Sequence, residues 1–455
     1  MLRDIPSATS FLHSHEGAEL IEEFGRGATL SEFRRLCDDL RSQILEGSSL
    51  SVPTLLSITK TLRYRLSQIS SNAKRAVNAT GILLHTGLGR SPLCDTALHA
   101  VGNLSGYSIL QVDIEGGKRS LREHHIERML QELTGCEAAT VVNNNAAATM
   151  LTLSVLAQGK EVIVSRGQLV EIGGSFRMPD VMAYSGCTMV EVGTTNRTHL
   201  HDYEQAINDN TAALIHVHTS NYRIRGFHST PGIDELCELG AKRNIPVIDD
   251  VGSGSLIPLF RYGIMPEPLV VDSIRAGADL TCFSGDKLMC GPQSGIIIGS
   301  ADWVAKVRRH PLARMFRVCK LTLAALENTL IHFINDNHAA LPLYQALDLS
   351  LQDLNERADT IEKNLNLSPQ IEVRRVESTC FIGSGTNPDE GVPSVALTFQ
   401  GSFDVNDVAR LLRGARPALF CRIHKNALYF DMRSLRPGEE NEVCTGLRSV
   451  FSQLS

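Results

Sequence analysis

The sequence predicts an α/β fold with a mainly parallel sheet in a large central domain, a helical domain before it and a small α+β domain after it. One observation is that apolar residues recur at spacings of three and four over residues 1–75, as amphipathic helices require. Another is a series of short, β-branched runs separated by helical stretches from residue 76 onward. Strands that alternate with helices indicate parallel pairing through crossover helices.

Three domains follow from these patterns. We expect a helical domain over residues 1–75, a large domain over residues 76–310, and a linking helix with a small domain over residues 311–455. The strands of the large domain are predicted from the runs EVIVS, MVEVG, AALIHVH, IPVIDDVG, LTCFS and GIIIG. After one long helix over residues 311–336, the small domain contains the predicted strands EVRRVES and VPSVALTF and the predicted helix DVNDVARLLRGA.

Composition excludes several classes of protein. The 455 residues are 43% hydrophobic and 21% charged, which is typical of a globular chain with more than one domain. No stretch is apolar for long enough to span a bilayer, and MLRDIPSATS lacks the order of a signal peptide. The 11 cysteines are scattered without a CxxC pair, and pairs such as His124 with His125 or His216 with His218 lack companion ligands. We therefore expect a cytoplasmic protein with free thiols, no metal site and no membrane partner.

The charge balance bears on nucleic-acid binding. A net charge of -6 argues against a protein that coats nucleic acid. A run without acidic residues nevertheless occupies residues 59–75, and its basic members are Lys60, Arg63, Arg65, Lys74 and Arg75. Such a run can contact phosphates, but a solvated helix face is its commoner explanation. The sequence leaves both explanations open.

One lysine stands in an unusual setting. Lys287 lies in FSGDKLMCGPQSG, a run of small or apolar residues apart from Asp286, between two predicted interior strands. A buried amine must pair, lose its proton or react, because leaving water disfavours its charged form. Lys287 therefore either pairs with Asp286 in a turn, which is the usual role of a lysine at a strand end, or forms a Schiff base as a desolvated nucleophile.

Two other strand ends carry residues suited to a phosphorylated cofactor. In VVNNNAAATMLTLSVLA a strand leads into a helix start at Asn144, Asn145 and Ala146, where backbone N–H groups and an asparagine cap can bind phosphate. In VIDDVGSGSL a buried strand carries Asp249 and Asp250 to a glycine-rich turn. Adjacent side chains of a strand point in opposite directions, so one of these carboxylates can face a ligand.

The order of these features resembles that of fold-type I pyridoxal-phosphate enzymes. A phosphate-binding helix start, an aspartate and a lysine follow one another at the strand ends of a parallel sheet. In that group the aspartate keeps the pyridine nitrogen protonated, and the lysine forms a Schiff base with the cofactor. Ser284, three residues before Lys287, would join the phosphate shell. The resemblance implies pyridoxal 5'-phosphate as cofactor.

Longer segments resemble the bacterial selenocysteine synthases, the L-seryl-tRNA(Sec) selenium transferase family. These segments are NATGILLHTGLGRSPL, VVNNNAAATMLTL, SRGQLVEIGGSFRMPDVM, EVGTTNRTHLHDYEQAI, VHTSNYRIRGF, DDVGSGSL, FSGDKLMCGPQSGIIIG and HPLARMFRVCKLTLAALENTL. The resemblance implies that Lys287 is the Schiff-base lysine and that Asp250 holds the pyridine nitrogen. It also places Arg90, Arg314 and Arg317 on family arginines that bind the selenium donor.

The same resemblance implies a reaction and its partners. L-seryl-tRNA(Sec) would be converted to L-selenocysteinyl-tRNA(Sec): Lys287 removes the α-proton, the serine hydroxyl leaves, and selenium from selenophosphate adds to the β-carbon. The N-terminal domain is implied to contact tRNA, and the chain to form a homo-oligomer, a decameric ring of dimers with active sites at subunit interfaces. Arg314 and Arg317, three apart on a predicted helix, would share a face, and guanidinium groups suit the oxygens of selenophosphate.

Several positions depart from the family pattern. Gly87 stands in HTGLGR, Gln168 in RGQLVE and Cys290 in KLMCGPQ, where the family usually has HTNLGR, RGELVE and KLLGGPQ. Gln168 puts in doubt any acid or base role at that position. Cys290 is either an inert packing residue or a thiol sensitive to selenium and oxidation. Cys319 stands where the family often has aspartate.

Two other functions compete with the transferase. One is a related pyridoxal-phosphate lyase or aminotransferase acting on a small free amino acid, with an N-terminal domain that serves assembly. The other is a binding paralogue that has lost catalysis. The retention of Lys287 and Asp250 argues against the binding paralogue, because neither residue has an obvious structural reason to remain without the cofactor.

Overall fold

The computed structural model describes residues 5–46, 53–69, 75–173, 176–264, 267–383 and 385–453. The chain divides into two compact units, residues 1–75 and residues 76–455. The first unit has a hydrophobic cluster of its own, and the second has several. Within the described ranges, no helix combines the length and the apolar character needed to cross a membrane.

The first unit is helical. Its helices are α1 (Ala8–Leu12), α2 (His15–Phe24), α3 (Arg26–Leu45) and α4 (Leu55–Ile69). Phe11 of α1 stacks on Phe33 of α3 with 4.2 Å between ring centroids. Leu20 and Leu62 are fully buried beside this pair, so each of the four helices contributes to one small core.

The basic run is not a bare cationic surface. The two arginines of the run that lie on α4 form ion pairs with carboxylates of α2 and α3, namely Arg63 with Glu19 and Glu23, and Arg65 with Asp39. Lys60 is exposed on α4, whereas Lys74 lies outside the described residues. The helical part of the run is therefore a solvated face whose arginine charges are balanced within the unit.

The second unit contains two main sheets and a two-stranded ribbon. Its strands are β1 (Ala76–Ala79), β2 (Ala138–Val142), β3 (Glu161–Ser165), β4 (Glu171–Ile172), β5 (Phe176–Arg177), β6 (Thr188–Val192), β7 (Thr211–Val217), β8 (Val247–Gly252), β9 (Leu280–Ser284), β10 (Gly295–Gly299), β11 (Glu372–Gly383), β12 (Thr386–Gln400), β13 (Ala418–His424) and β14 (Ala427–Asp431). Its α-helices are α5 (Asp95–Gly102), α6 (His124–Thr134), α7 (Asn145–Ala157), α8 (Met178–Tyr184), α9 (Leu200–Ala206), α10 (Ile233–Arg243), α11 (Val270–Ala276), α12 (Ala301–Arg309), α13 (Pro311–Met315), α14 (Lys320–Ile334), α15 (Pro342–Asp348), α16 (Leu351–Asn364), α17 (Val405–Arg413) and α18 (Glu440–Phe451).

The large sheet has seven strands in the order β2-β10-β9-β8-β7-β3-β6. Its pairs are parallel except those of β10, which runs antiparallel to both β2 and β9. The connection over residues 285–294 is too short for a parallel crossover, which needs about a dozen residues or more, so β9 and β10 form a hairpin. The prediction of a mainly parallel sheet is confirmed, and Lys287 lies in the loop of this hairpin.

The small sheet has the order β1-β13-β14-β12-β11. Strand β1 pairs in parallel with β13, so the first strand after the helical unit belongs to the sheet of the C-terminal part. Long strands β11 and β12 form an antiparallel pair, and α16, α17 and α18 contribute to the core beneath the sheet. The C-terminal part is therefore a mixed α+β arrangement, as the sequence predicts.

The prediction of one continuous helix over residues 311–336 is wrong. Helix α13 ends at Met315, and α14 begins at Lys320. Between them the N–H of Asn143 donates to the carbonyl of Phe316 at 2.9 Å, and Arg317 forms an isolated β-bridge with Val142. Backbone pairing with the end of β2 thus replaces the helical hydrogen bonds here. Arg314 and Arg317 consequently do not share a helix face.

A substitution at Gly295 would test how tightly β10 packs against the start of α7. A Cβ at this position would lie 2.0 Å from the carbonyl oxygen of Asn144, which is backbone and cannot rotate away. We expect Gly295→Ala to lower the free energy of unfolding by about 1–3 kcal/mol, the usual cost of overpacking. Gly102→Ala is the control, because a Cβ there meets nothing within 4 Å. Equal thermal unfolding midpoints for the two variants would contradict this packing.

Candidate active site

The residues selected from the sequence meet at one edge of the large sheet. Strands β2, β8 and β9 all end there, and they lead respectively into the helix start at Asn144, the turn after Asp250 and the loop that contains Lys287. In open α/β sheets, ligands bind outside the carboxyl ends of the strands. The fold therefore brings the helix start, the aspartate and the lysine to a common edge.

Lys287 is buried without a counter-ion. Its exposed fraction is 5%, and within the described residues it forms no ion pair. Asp286 instead accepts a hydrogen bond from Arg90 Nη1 at 2.9 Å, so the turn pairing of the lysine with its neighbour is not what the structure shows. Burial and then the positive charge of Arg90 lower the pKa of the Lys287 amine, against the opposing charges of Asp250 and Asp286. The amine therefore loses its proton more readily than that of an exposed lysine.

Asp250 is buried at the end of β8 with both carboxylate oxygens engaged. Oδ1 accepts from Asn145 Nδ2 at 2.8 Å, and Oδ2 accepts from the hydroxyl of Thr149 at 3.0 Å. Burial raises the pKa of Asp250, while these two hydrogen bonds and the charge of Lys287 lower it. The carboxylate is held by helix α7 and lacks an arginine or lysine ion pair within the described residues.

Asp249 points the opposite way, as strand alternation requires. Its Oδ1 lies 2.8 Å from His216 Nδ1, and its Oδ2 accepts from the hydroxyl of Ser273 at 2.5 Å. These partners make Asp249 a structural residue between β7 and α11. Of the two adjacent carboxylates, Asp250 is therefore the one near the lysine.

The start of α7 has the features of an anion site. Asn144 is its N-cap, with Oδ1 accepting from the N–H of Ala147 at 2.8 Å, and the next N–H groups, at Asn145 and Ala146, lie in the first turn, where helices leave donors unpaired. Asn145 Oδ1 is buried and has no partner among the described residues. Ser284 is buried at the end of β9, where it is the last residue paired with β10, opposite Gly295.

The arginines predicted to bind the selenium donor occupy two places. Arg90 lies beside Asp286 and adopts a left-handed φ of 63°. Arg314 and Arg317 are exposed on the segment that pairs with Val142, just before the start of α7. Arg317 therefore lies near the start of α7, because its backbone pairs with Val142. Arg90 lies near Lys287.

Sequence reasoning missed Arg122. Its guanidinium donates to the carbonyl of Val318 and to Gln111 Oε1, each at 2.9 Å, and thereby supports the segment that carries the exposed arginines. Burial and then the charge of Arg317 lower the pKa of Arg122, and Arg314 contributes in the same direction. Arg122, which belongs to no recognised motif, therefore places a third guanidinium near Arg314 and Arg317.

Two departures from the family pattern have structural explanations. Gln168 is buried, and its Oε1 accepts from the N–H of Val217 at 3.1 Å, so its carbonyl fixes the end of β7. Cys290 is fully buried, and burial raises the pKa of its thiol to about 12. Of the two alternatives for Cys290, the structure favours inert packing, because a buried thiol with this pKa does not form the reactive thiolate.

Cys319 differs from the other cysteines. It is exposed at the N-cap of α14, and hydrogen bonding with Thr322 lowers the pKa of its thiol.

No set of three His, Cys, Asp or Glu side chains within the described residues is arranged to hold a metal ion.

A cavity of about 470 Å³ opens at the ends of β3, β6 and β7, on the same edge of the sheet. His218 lines it, and the backbone N–H of His218 donates to the carbonyl of Asp250 at 3.0 Å, so the cavity adjoins the aspartate. Among the described lining residues, Arg197, Arg223 and Arg225 provide positive charge and Glu390 is the only carboxylate. The cavity is therefore basic.

His218 is a second residue that the sequence did not single out for this role. Its Nδ1 lies 3.3 Å from the carbonyl of Val251 and 3.8 Å from Glu267 Oε2. Burial and then the neighbouring His216 lower the pKa of His218 to about 4. With Nδ1–H donating to the carbonyl, Nε2 is left as a hydrogen-bond acceptor in a neutral ring.

Stability should depend on pH through His218. Its pKa is about 4 in the folded chain against 6.5 when unfolded, so between these values the unfolded chain binds more protons. We expect up to about 3 kcal/mol of stability to be present above pH 6.5 and lost as the pH falls towards 4. The measurement is the free energy of unfolding at pH 7 and at pH 4.5. The difference between the two values should be smaller in His218→Asn, because the titrating imidazole is removed. The exposed His228 supplies the control variant His228→Asn, and the same reduction in that variant would contradict the assignment.

Comparison with known proteins identifies the family of the chain. A family model described as L-seryl-tRNA selenium transferase matches residues 76–436. The L-seryl-tRNA(Sec) selenium transferase of Alkaliphilus metalliredigens is 41% identical over 460 residues, covering 99% of this chain and 98% of that protein. The protein of the same description from Haemophilus ducreyi is 42% identical over 446 residues, covering 96% of each chain. Among solved structures, D-glucosaminate-6-phosphate ammonia-lyase shares the fold with a TM-score of 0.59 and 19% identity, over 85% of this chain and 98% of that one. The chain belongs to the L-seryl-tRNA(Sec) selenium transferase family.

Proposed function

We propose that this enzyme converts L-seryl-tRNA(Sec) to L-selenocysteinyl-tRNA(Sec), with pyridoxal 5'-phosphate as cofactor and selenophosphate as the selenium donor. Membership of the family, which extends over nearly the whole chain, supports the reaction. The structural observation that supports the site is a buried lysine without a counter-ion on the same sheet edge as a buried, hydrogen-bonded aspartate.

The residues present fit pyridoxal 5'-phosphate. The buried carboxylate of Asp250 suits a protonated ring nitrogen, which would offset the cost of burying its charge. The first turn of α7, with Asn144, Asn145 and Ala146, suits a phosphate group, and Ser284 offers a hydroxyl at the same edge. The unpartnered Asn145 Oδ1 leaves one acceptor for a ligand. When bound, the cofactor acts as an electron sink for charge that develops at the α-carbon of the substrate.

Lys287 is the base of the proposed reaction. Because burial and Arg90 lower its pKa, its amine is less strongly protonated than an exposed lysine and can accept the α-proton of the serine. The proton gained at Nζ is then available near the reacting carbons. Asp286 is engaged with Arg90, so it leaves the lysine without a tight ion pair that would hold it protonated.

Asp250 has the complementary role of a fixed negative charge. Its hydrogen bonds with Asn145 and Thr149 orient both oxygens and counter the rise of its pKa on burial. An ionised carboxylate here would keep a ring nitrogen protonated. From these distinct environments we infer that Asp250 is the stationary charge and Lys287 the proton carrier.

The selenium donor is a compact anion, and we assign it to Arg90, Arg314 and Arg317. Guanidinium groups bind such oxygens through paired hydrogen bonds. Arg314 and Arg317 are exposed and are supported by Arg122, whose own hydrogen bonds hold the segment in place. These charges would also lower the cost of bringing a second anion near the phosphate of the cofactor.

The remaining assignments concern partners. We propose that the helical unit contacts tRNA. The exposed Lys60 would bind phosphate, and the surface arginine Arg63 would exchange its carboxylate partners for phosphates, since surface ion pairs are weak. We also propose that the chain assembles as a decameric ring of dimers, which sedimentation would measure directly.

Replacing Lys287 tests the role of the lysine. We expect Lys287→Ala to abolish conversion of labelled seryl-tRNA(Sec) in the presence of selenophosphate, because the base and the Schiff-base amine are both removed. Borohydride treatment of the wild type should attach the cofactor permanently to residue 287, as mass spectrometry would detect. Labelling at another lysine would contradict the assignment. Turnover of free serine without conversion of the charged tRNA would instead support a lyase acting on small amino acids.

Replacing the exposed arginines tests the donor site. We expect Arg314→Ala and Arg317→Ala each to raise the KM for selenophosphate at least about tenfold, because a charge-assisted hydrogen bond contributes about 1.5–3 kcal/mol. Cofactor content should stay at the wild-type level. Arg309→Ala, an exposed arginine on α12, is the matched control. An unchanged KM for selenophosphate in both arginine variants would remove them from the donor site.

A further inference from the structure

The basic cavity beside Asp250 has the features of a binding site for part of the RNA substrate. We propose that this cavity and the exposed ring of Phe227 bind the single-stranded 3' end of the seryl-tRNA. The inference rests on the proposed function, since it assigns a place to the substrate of that same site.

The position of the cavity fits this substrate. The serine of seryl-tRNA is esterified to the ribose of the last nucleotide, so that nucleotide must lie next to the reacting lysine. The cavity opens on the same edge of the sheet, and His218 links it to Asp250 through a backbone hydrogen bond of 3.0 Å. Its volume of about 470 Å³ lies in the usual range of sites for small ligands, so it can receive a nucleotide.

The charge of the cavity fits a phosphodiester chain. The described residues that line it include three arginines, Arg197, Arg223 and Arg225, and a single carboxylate, Glu390, to which Arg223 donates at 3.2 Å. Arginine binds phosphate oxygens through paired donors. The lining also carries hydroxyl groups, among them those of Thr195 and Thr219, which suit the hydroxyls and phosphates of a ribonucleotide.

An exposed aromatic ring lies next to this charge. Phe227 is 82% exposed, and the guanidinium carbon of Arg197, which lines the cavity, lies 5.7 Å from its ring centroid. Because the ring of Phe227 is not buried within this chain, the hydrophobic core does not account for an aromatic residue here. Unpaired bases stack on such rings and on arginine planes, and this is how proteins commonly hold single-stranded RNA.

The platform formed by Arg197 and Phe227 is fixed in advance. The carbonyl of Phe227 accepts from Asn196 Nδ2 at 2.5 Å and from Arg197 Nε at 3.4 Å. The two loops are joined further by the N–H of Ser229 donating to Asn196 at 3.0 Å and by the bridge between Arg197 and Ser229. A platform whose loops are already held together by these hydrogen bonds loses little entropy when a nucleotide binds.

His218 adds a neutral acceptor at the inner end of the cavity. Its Nδ1 faces the carbonyl of Val251, which leaves Nε2 to accept a hydrogen bond. The ribose hydroxyls of a terminal nucleotide are donors of the required kind. Positive charge near the outer loops and a neutral acceptor near Asp250 match a phosphate chain that ends in an esterified ribose.

The test compares how tightly the wild type and its variants bind tRNA with and without the 3' end. The probes are tRNA(Sec) with its intact 3' end and the same tRNA shortened by its last three nucleotides, titrated against the full chain loaded with pyridoxal 5'-phosphate. We expect Phe227→Ala and Arg197→Ala each to weaken binding of the intact tRNA about tenfold, the effect of losing one stacking contact, and to leave binding of the shortened tRNA unchanged. The KM for seryl-tRNA should rise while kcat stays within about twofold.

Matched controls are available on the same unit. Phe260, which is 68% exposed, supplies Phe260→Ala, and the exposed Arg275 supplies Arg275→Ala. Both controls should bind the two tRNAs like the wild type. Arg197→Ala should also reduce the dependence of binding on salt concentration, because one phosphate contact is lost.

The outcomes separate this inference from the proposed function. Equal weakening for intact and shortened tRNA would overturn it, since the contact would then lie elsewhere on the RNA. Changed sedimentation of Phe227→Ala with unchanged tRNA affinity would also overturn it and assign the platform to contact between copies of the chain. Failure of the wild type to convert seryl-tRNA(Sec) would overturn the proposed function itself, whereas conversion without the expected coupling would overturn the cavity assignment alone.

Discussion

The proposed active site depends on the hydrogen bonds that Asn145 and Thr149 donate to the buried carboxylate of Asp250. An ionised carboxylate out of water is costly unless its oxygens are engaged, and each bond to a charged group contributes about 1.5–3 kcal/mol. Because both donors lie in the first turns of α7, the same bonds fix the helix start against the end of β8. The phosphate site and the charge that would face a ring nitrogen are therefore positioned together.

The second organising feature is the separation of Lys287 from its neighbouring carboxylate. Asp286 binds Arg90, and the lysine is left buried, so that burial and then the charge of the Arg90 guanidinium lower its pKa. A lysine paired with Asp286 would be held protonated and would be a poor base. The strained, left-handed backbone of Arg90 is thus associated with a charge pairing that benefits the lysine.

The sheet edge extends the site beyond these residues. Strands β2, β8 and β9 lead to the residues that we assign to the cofactor, while β3, β6 and β7 end at the basic cavity. His218, at the end of β7, belongs to both regions through its hydrogen bond to Asp250. One parallel sheet therefore presents a site for the reacting centre and, in our proposal, a neighbouring site for the RNA end that delivers it.

Local sequence determined the features that depend on short-range chemistry: the alternation of buried strands with helices, the asparagine cap of α7 and the isolated Lys287. Tertiary structure decided which groups pair. The sequence could not show that Asp286 binds Arg90, 196 residues away, or that pairing with Val142 ends α13 before Arg317. Nor could it identify Arg122 and His218, whose roles arise from neighbours contributed by other elements. Periodicity and capping are properties of adjacent residues, whereas burial and charge pairing are properties of the folded chain.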